Sequence, residues 1–245
     1  MTPDPGTSTA QRRQELAANL AAVEQRIAAA CADAGREPDS VTLVVVTKFF
    51  PASDVRLLAD LGVRHIGENR HQEAEPKLAE CADLPLTWHF IGTLQSNKAT
   101  AVARYSDVVE SVDRAKLLHG LARGAHERGR PLDCLLQVSL DPPAERAPAR
   151  GRAGADPDDV VPLAEQVLVT DGLRLRGVMA VAPLGEPPRP AFERLAEVAA
   201  RVRAVAPDAP WVSAGMSGDL EEAVACGATH VRIGSAVLGP RPPIK

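Results

Sequence analysis

The stretch Val44-Val45-Val46-Thr47-Lys48 closes an aliphatic run with a lysine. The run reads as a fully buried strand, the pattern of a parallel sheet covered on both faces rather than of a strand with one wet side. An ammonium at the end of such a strand has two readings. It is a solvated strand end whose methylene stem packs while its head stays in water, or it is an amine held in a pocket for covalent chemistry. The second use needs the neutral amine, which partial burial and neighbouring cations supply by lowering its pKa, and it points to a Schiff base.

Outward from this stretch, aliphatic segments alternate with segments of helical spacing. Strands are predicted over 41–48, 65–67, 88–92, 108–112, 134–138, 177–181, 211–213 and 231–233. Helices are predicted over 53–61, 73–81, 98–105, 114–128, 160–169, 190–205 and 220–225, with a short closing segment at the end. Ahead of them Leu16, Leu20, Val23, Ile27 and Ala30 recur at the spacing of one long amphipathic helix over 10–34. Strict strand and helix alternation argues for a parallel sheet with helices outside. About eight such units in 245 residues give an α/β fold, a single (β/α)8 TIM-type barrel preceded by a long N-terminal helix, rather than a doubly wound sheet. The expected organisation is a disordered N-terminus over 1–9, one barrel domain over 10–239 and a frayed C-terminus over 240–245. The Pro-, Ala- and Arg-rich stretch 141–157 has no periodicity and is expected to be a surface loop after the fifth strand.

Composition excludes several function classes. A formal net charge of -4, 3% aromatic residues and no basic block leave out the electrostatic footprint and stacking platforms of a nucleic-acid binder. The amino terminus mixes Pro, Thr, Gln and Arg without an apolar core, and no apolar run approaches a membrane span, so a cytoplasmic protein without a membrane partner is expected. Cys31, Cys81, Cys134 and Cys226 are far apart and form no Cys-x-x-Cys pair, which argues for buried free thiols. His65 and His71 belong to no ligand triad, and no metal is expected.

In a barrel of this kind the site gathers at the carboxyl ends of the strands, with phosphates often bound after the seventh and eighth. The strand ends supply Lys48, Gly67-Glu68-Asn69-Arg70, Ile91 to Lys98, Ser111, Met179, Gly215-Met216-Ser217-Gly218 and Arg232-Ile233-Gly234-Ser235. Ser217 precedes a helical segment and can cap it, leaving free amides for an anion, and Gly234 and Ser235 offer a second turn of backbone donors. A phosphate fits between two such turns; helix capping and turn punctuation explain each one taken alone. Arg232 is placed to meet an anionic or acceptor atom, or to form a rim salt bridge. His89 reads as a core residue with a satisfied ring rather than a proton carrier. Glu68 and Asn69 can orient polar ligand atoms or bond within their loop.

Read in order, these stretches resemble one family, the pyridoxal 5'-phosphate homeostasis proteins, also called proline synthase co-transcribed proteins. The matching residues are Val46-Thr47-Lys48, His65 to Asn69, Trp88 to Lys98, Gly177-Val178-Met179, Gly215 to Asp219 and Val231 to Ala236, and the similarity runs from the first helix to Gly239. The resemblance implies a barrel similar to the N-terminal domain of alanine racemase and pyridoxal 5'-phosphate as cofactor, held by Lys48 as an internal aldimine. It also implies that Ser217, Gly234 and Ser235 hold the phosphate, that Arg232 faces the pyridine nitrogen, that Asn69 lies near the ring and that Met216 lines the pocket. The sequence departs from the family at Ala214, where methionine is usual, and in the longer, Pro-rich 141–157 loop.

An arginine at the ring nitrogen disfavours its protonation and weakens the electron sink that pyridoxal enzymes use. Alanine racemase works with such an arginine but needs a second base, a tyrosine on a further β domain, and this chain is expected to lack that domain. Its one tyrosine, Tyr105, reads as packing. The resemblance therefore implies a carrier or buffer that holds the cofactor and passes it to pyridoxal-dependent apo-enzymes, with no catalytic residues assigned and a monomeric state. An amino-acid racemase and a class I aldolase are the rival readings.

Overall fold

The computed structural model describes residues 8–141 and 153–240. Residues 1–7 of the expected disordered N-terminus, 142–152 of the expected loop and 241–245 of the expected frayed C-terminus lie outside the described residues. The alternation closes on itself. Strands β1 (Thr42–Val46), β2 (His65–Glu68), β3 (Thr87–Phe90), β4 (Val108–Val112), β5 (Leu132–Gln137), β6 (Leu173–Met179), β7 (Trp211–Ser213) and β8 (His230–Ile233) form one closed barrel in chain order. The ladders are parallel throughout, and the seam is closed by Val44 opposite Arg232 and Val45 opposite Ile233.

Helix α1 (Thr9–Asp33) precedes the barrel, and α2 (Ala52–Asp60), α3 (His71–Glu80), α4 (Ala99–Tyr105), α5 (Leu118–Glu127), α6 (Val160–Leu168), α7 (Pro188–Val205), α8 (Leu220–Ala225) and α9 (Ser235–Leu238) follow the strands. Ser8 starts α1 with a reciprocal capping box to Gln11. The face carrying Leu16, Leu20, Val23 and Ile27 is buried, as its spacing predicts, against β1, β2, β8 and the helices beside them. A second apolar cluster joins β3 to β7 with α4 to α7. Among the described residues no helix is long and apolar enough to cross a membrane.

Several boundaries differ from the sequence reading, among them those of β1 and β6. β1 ends at Val46: the Thr47 amide still donates to Gly67 O, but Lys48 enters a turn. β6 begins at Leu173, four residues earlier than predicted, because Leu173 and Leu175 bury while Arg174 bonds Asp133 and Arg176 lies over the Trp211 ring. The arginines hid the strand in the sequence.

Candidate functional site

Parallel strands deliver all their carboxyl ends to one rim, so Lys48, Asn69, Ser217, Gly234 and Ser235 stand on the same side of the barrel. Lys48 sits half-buried in the turn after β1, and the residues that bracket it are pinned. Thr47 is buried, donates its amide to Gly67 O at 3.0 Å and its hydroxyl to Glu68 Oε1 at 2.6 Å. Its carbonyl accepts from Lys77 Nζ at 2.9 Å, and the same ammonium lies 2.5 Å from Glu68 Oε1. Burial pushes the Glu68 carboxyl up from its ordinary value, while the charge of Lys77 pulls it back. On the other side Phe49 adopts φ 72°, a left-handed conformation that costs a bulky residue about 1–2 kcal/mol. Its amide donates to Glu73 Oε2 at 3.3 Å and its ring lies 5.1 Å from the Arg70 guanidinium. The amine is therefore presented from a backbone that cannot easily shift.

Below the rim a polar chain crosses the barrel interior. Arg232, on β8 and 4% exposed, donates from Nη1 to Ser213 Oγ at 2.7 Å and from Nη2 to Ala180 O at 2.8 Å. Ser213 Oγ lies 2.6 Å from Glu110 Oε2, and Glu110 Oε1 lies 2.7 Å from His89 Nδ1. His89 Nε2 in turn meets His65 Nδ1 at 3.0 Å. Although burial opposes it, the hydrogen bond from His89 leads the interactions that hold the Glu110 carboxyl down at about 2. Burial lowers His65 and His230 to about 4, so both rings are neutral near pH 7. His89 is the satisfied core residue that the sequence reading favours.

The two turns expected to seat an anion lie at adjacent strand ends. Ser217 does not cap α8: Asp219 occupies the N-cap position, and its Oδ1 accepts from the Met216 amide at 2.6 Å. That side chain bonds back to the turn and makes no cap bond to α8, and the half-buried Ser217 hydroxyl makes no hydrogen bond among the described residues. Gly234 occupies the N-cap position of α9 and Ser235 its first residue, and the amides opening any helix lack an intrahelical acceptor. A Cβ at Gly234 would lie 3.2 Å from Val46 O, so this turn rests on the end of the strand that presents Lys48. The Met216 side chain is exposed at the rim.

Asn69 follows β2 and is pressed against Gly92, where an added Cβ would fall 2.0 Å from Asn69 O. Only glycine permits that approach. Beside it a cleft of about 460 Å³ is lined by Asn69, Arg70, His71, Phe90, Gln95 and Lys98. Met179 and Ser111 are buried, and Tyr105 stacks on His71, with its hydroxyl 3.3 Å from Nδ1. No group of His, Cys, Asp or Glu suited to a metal is present among the described residues. Cys31, Cys81, Cys134 and Cys226 are free thiols, the first three buried. Sequence reasoning passed over Glu110, Ser213 and Lys77. A signal existed for Glu110, since an acid inside Val108-Val109-Glu110-Ser111-Val112 interrupts a buried strand and needs a partner.

A family profile for the alanine racemase N-terminal domain matches residues 15–242. The pyridoxal phosphate homeostasis protein of Mycobacterium tuberculosis is 43% identical over 94% of either chain. That of Pseudomonas aeruginosa is 43% identical over 92% of this chain and 96% of its own. PipY of Synechococcus elongatus, solved with PLP bound, is 38% identical and superposes with a TM-score of 0.78 over 91% of this chain and 100% of PipY. With the barrel and these relatives in agreement, the chain belongs to the pyridoxal phosphate homeostasis protein family, built on the alanine racemase N-terminal domain.

Proposed function

We propose that this chain binds pyridoxal 5'-phosphate through a Schiff base to Lys48 and serves in the cytoplasm as a monomeric carrier or buffer of the cofactor, without a robust reaction on amino acids. The observation that carries the reading is Arg232: a buried guanidinium near the carboxyl end of β8, fixed by Ser213 and the Ala180 carbonyl, lies below the rim that presents Lys48. The donor set suits the group. Ser217 offers an unused hydroxyl, Gly234 and Ser235 offer amides for a phosphate, and the lack of a Cβ at Gly234 leaves room beside Val46. Asn69 lies near the ring and Met216 lines the mouth. PipY, with PLP bound, and relatives named for pyridoxal phosphate homeostasis support the same assignment.

When bound, the cofactor supplies an aldehyde carbon and a ring able to draw electrons. The chain would supply the amine, the phosphate seat and a cation where an electron sink would need a carboxylate, so Arg232 would disfavour protonation of the ring nitrogen. Tyr105, the one tyrosine in the sequence, is committed to His71 and gives no second base. These features favour holding and transferring the cofactor, to pyridoxal-dependent apo-enzymes, over turning over a substrate.

Purified protein mixed with pyridoxal phosphate is expected to show a visible imine band that Lys48→Ala abolishes. A wild-type spectrum unchanged by the cofactor would overturn the assignment. Holo-protein that interconverts alanine enantiomers at more than trace rates would overturn its non-catalytic part.

A further inference from the structure

We propose that Glu110 is a positioning residue for the cofactor: acting through Ser213, it fixes the direction and charge of Arg232, with His89 bracing it from behind. This rests on the reading that Arg232 meets the ring nitrogen. The hydrogen-bond directions leave little freedom. A guanidinium only donates, so Ser213 Oγ accepts from Arg232 Nη1 at 2.7 Å and must spend its own proton on Glu110 Oε2, 2.6 Å away. An ionised carboxylate only accepts, so His89 donates from Nδ1 to Oε1 at 2.7 Å, and its Nε2 meets His65 Nδ1 at 3.0 Å. Glu110 is the point where both lines end.

The five side chains come from five strands. His65 lies on β2, His89 on β3, Glu110 on β4, Ser213 on β7 and Arg232 on β8, so the chain climbs through the barrel interior towards the rim. Glu110 is fully buried, and its nearest approach to Arg232 is 3.9 Å, so the ion pair is bridged by the serine hydroxyl rather than made directly. With Nη1 on Ser213 and Nη2 on the Ala180 carbonyl, the guanidinium plane is tied to the ends of two strands and cannot turn to follow a ligand. The consequence for the cofactor is specific. An acid of the kind that protonates a pyridine ring is present in this barrel, but it stands behind the arginine and serves the cation instead of the ring.

The titratable and charged groups around this pair are His65, His89, His230 and Asp219. None of them replaces Glu110 as the partner of Ser213. Neutralising Glu110 leaves a buried cation without its counter-charge and releases the hydroxyl that aims it.

Glu110→Gln and Ser213→Ala, each checked for folding by circular dichroism, test the proposal on protein loaded with pyridoxal phosphate. Both are expected to retain the visible band, to bind the cofactor about tenfold more weakly, as when the support of a ligating side chain is removed, and to shift the pH midpoint of that band by about one unit as the ring nitrogen loses its fixed cation. A merely structural role for Glu110 would lower the melting temperature and leave the midpoint where it is. Should Glu110→Gln fail to fold, Ser213→Ala, which deletes one oxygen, decides. Folded variants with wild-type affinity and midpoint overturn the positioning role and leave the Lys48 assignment standing. No visible band from wild-type protein overturns that assignment and this role together.

Discussion

Lys77 and Glu68 are 7% and 1% exposed, lie 2.5 Å apart, and both bond to Thr47, the residue before Lys48. A buried ion pair is costly to build and costlier to break, since removing one partner strands the other charge in the interior. Glu68 Oε2 already lacks a protein hydrogen bond, so the carboxylate has no spare partner if the ammonium goes. Lys77→Met is therefore expected to destabilise the fold by about 3–5 kcal/mol, while Glu68→Gln combined with Lys77→Met recovers a large part of that loss. Urea unfolding of the single and double variants measures both, and a single-variant loss below about 1 kcal/mol would show that water reaches the pair. The sequence makes half of this arrangement legible. Lys48 and Glu68 stand at strand ends, where a barrel gathers its chemistry, but Lys77 lies in Glu73-Ala74-Glu75-Pro76-Lys77, a run of charges that reads as a solvated helix face. Only the packing of α3 on the β1 end distinguishes it from its neighbours.

At the scale of elements, α1 does more than cover one side of the barrel. Its Arg26 donates to the Ser217 carbonyl at 3.1 Å while pairing with Glu221, and its Asn19 donates to the Val237 carbonyl at 3.0 Å. Arg12 reaches the Leu238 carbonyl at 3.0 Å and pairs with Asp54 at 2.8 Å. The helix thus holds the loop before α8 and the turn of α9, two elements too short to be stable alone and the carriers of both turns proposed to seat the phosphate. Arg26 and Glu221 are partly exposed, so Arg26→Ala is expected to cost about 1 kcal/mol of stability or less. Its effect on cofactor affinity is expected to be larger in proportion, about fivefold, because loosening the Ser217 turn removes about 1 kcal/mol of preorganised binding. Comparing the melting temperature with a pyridoxal phosphate titration separates the two, and unchanged affinity would mean that the turn is rigid without α1. The extent of α1 is legible from its apolar spacing. Its polar grip is not, because arginines on the outer face of a helix look alike until the neighbouring carbonyls are in place.

For the whole molecule, the eight strand and helix units are legible because each repeats the same two periods, whereas the interior polar chain is not. Its members are single polar letters inside aliphatic runs that lie far apart in sequence, and barrel closure alone brings His65, His89, Glu110, Ser213 and Arg232 together. That interior makes stability sensitive to acid. His65 and His230 titrate at about 4 in the folded chain instead of 6.5, through burial first. As pH falls through the interval from 6.5 to about 4, the unfolded chain takes up protons that the folded chain refuses, so stability is full above 6.5 and is lost on the way down. Each ring accounts for up to about 3 kcal/mol across that window, less for His65, which is the more exposed of the two. Glu110 extends the effect: its carboxylate is held at about 2 instead of 4.5, so its contribution is present above 4.5 and disappears as pH falls towards 2. Urea midpoints measured from neutral pH downwards are therefore expected to decline steadily from about pH 6.5, and His230→Gln, which removes one of the two rings, is expected to reduce that slope by about half. A midpoint that stays level until the carboxylates titrate would mean that His65 and His230 take up protons inside the barrel as readily as in the unfolded chain.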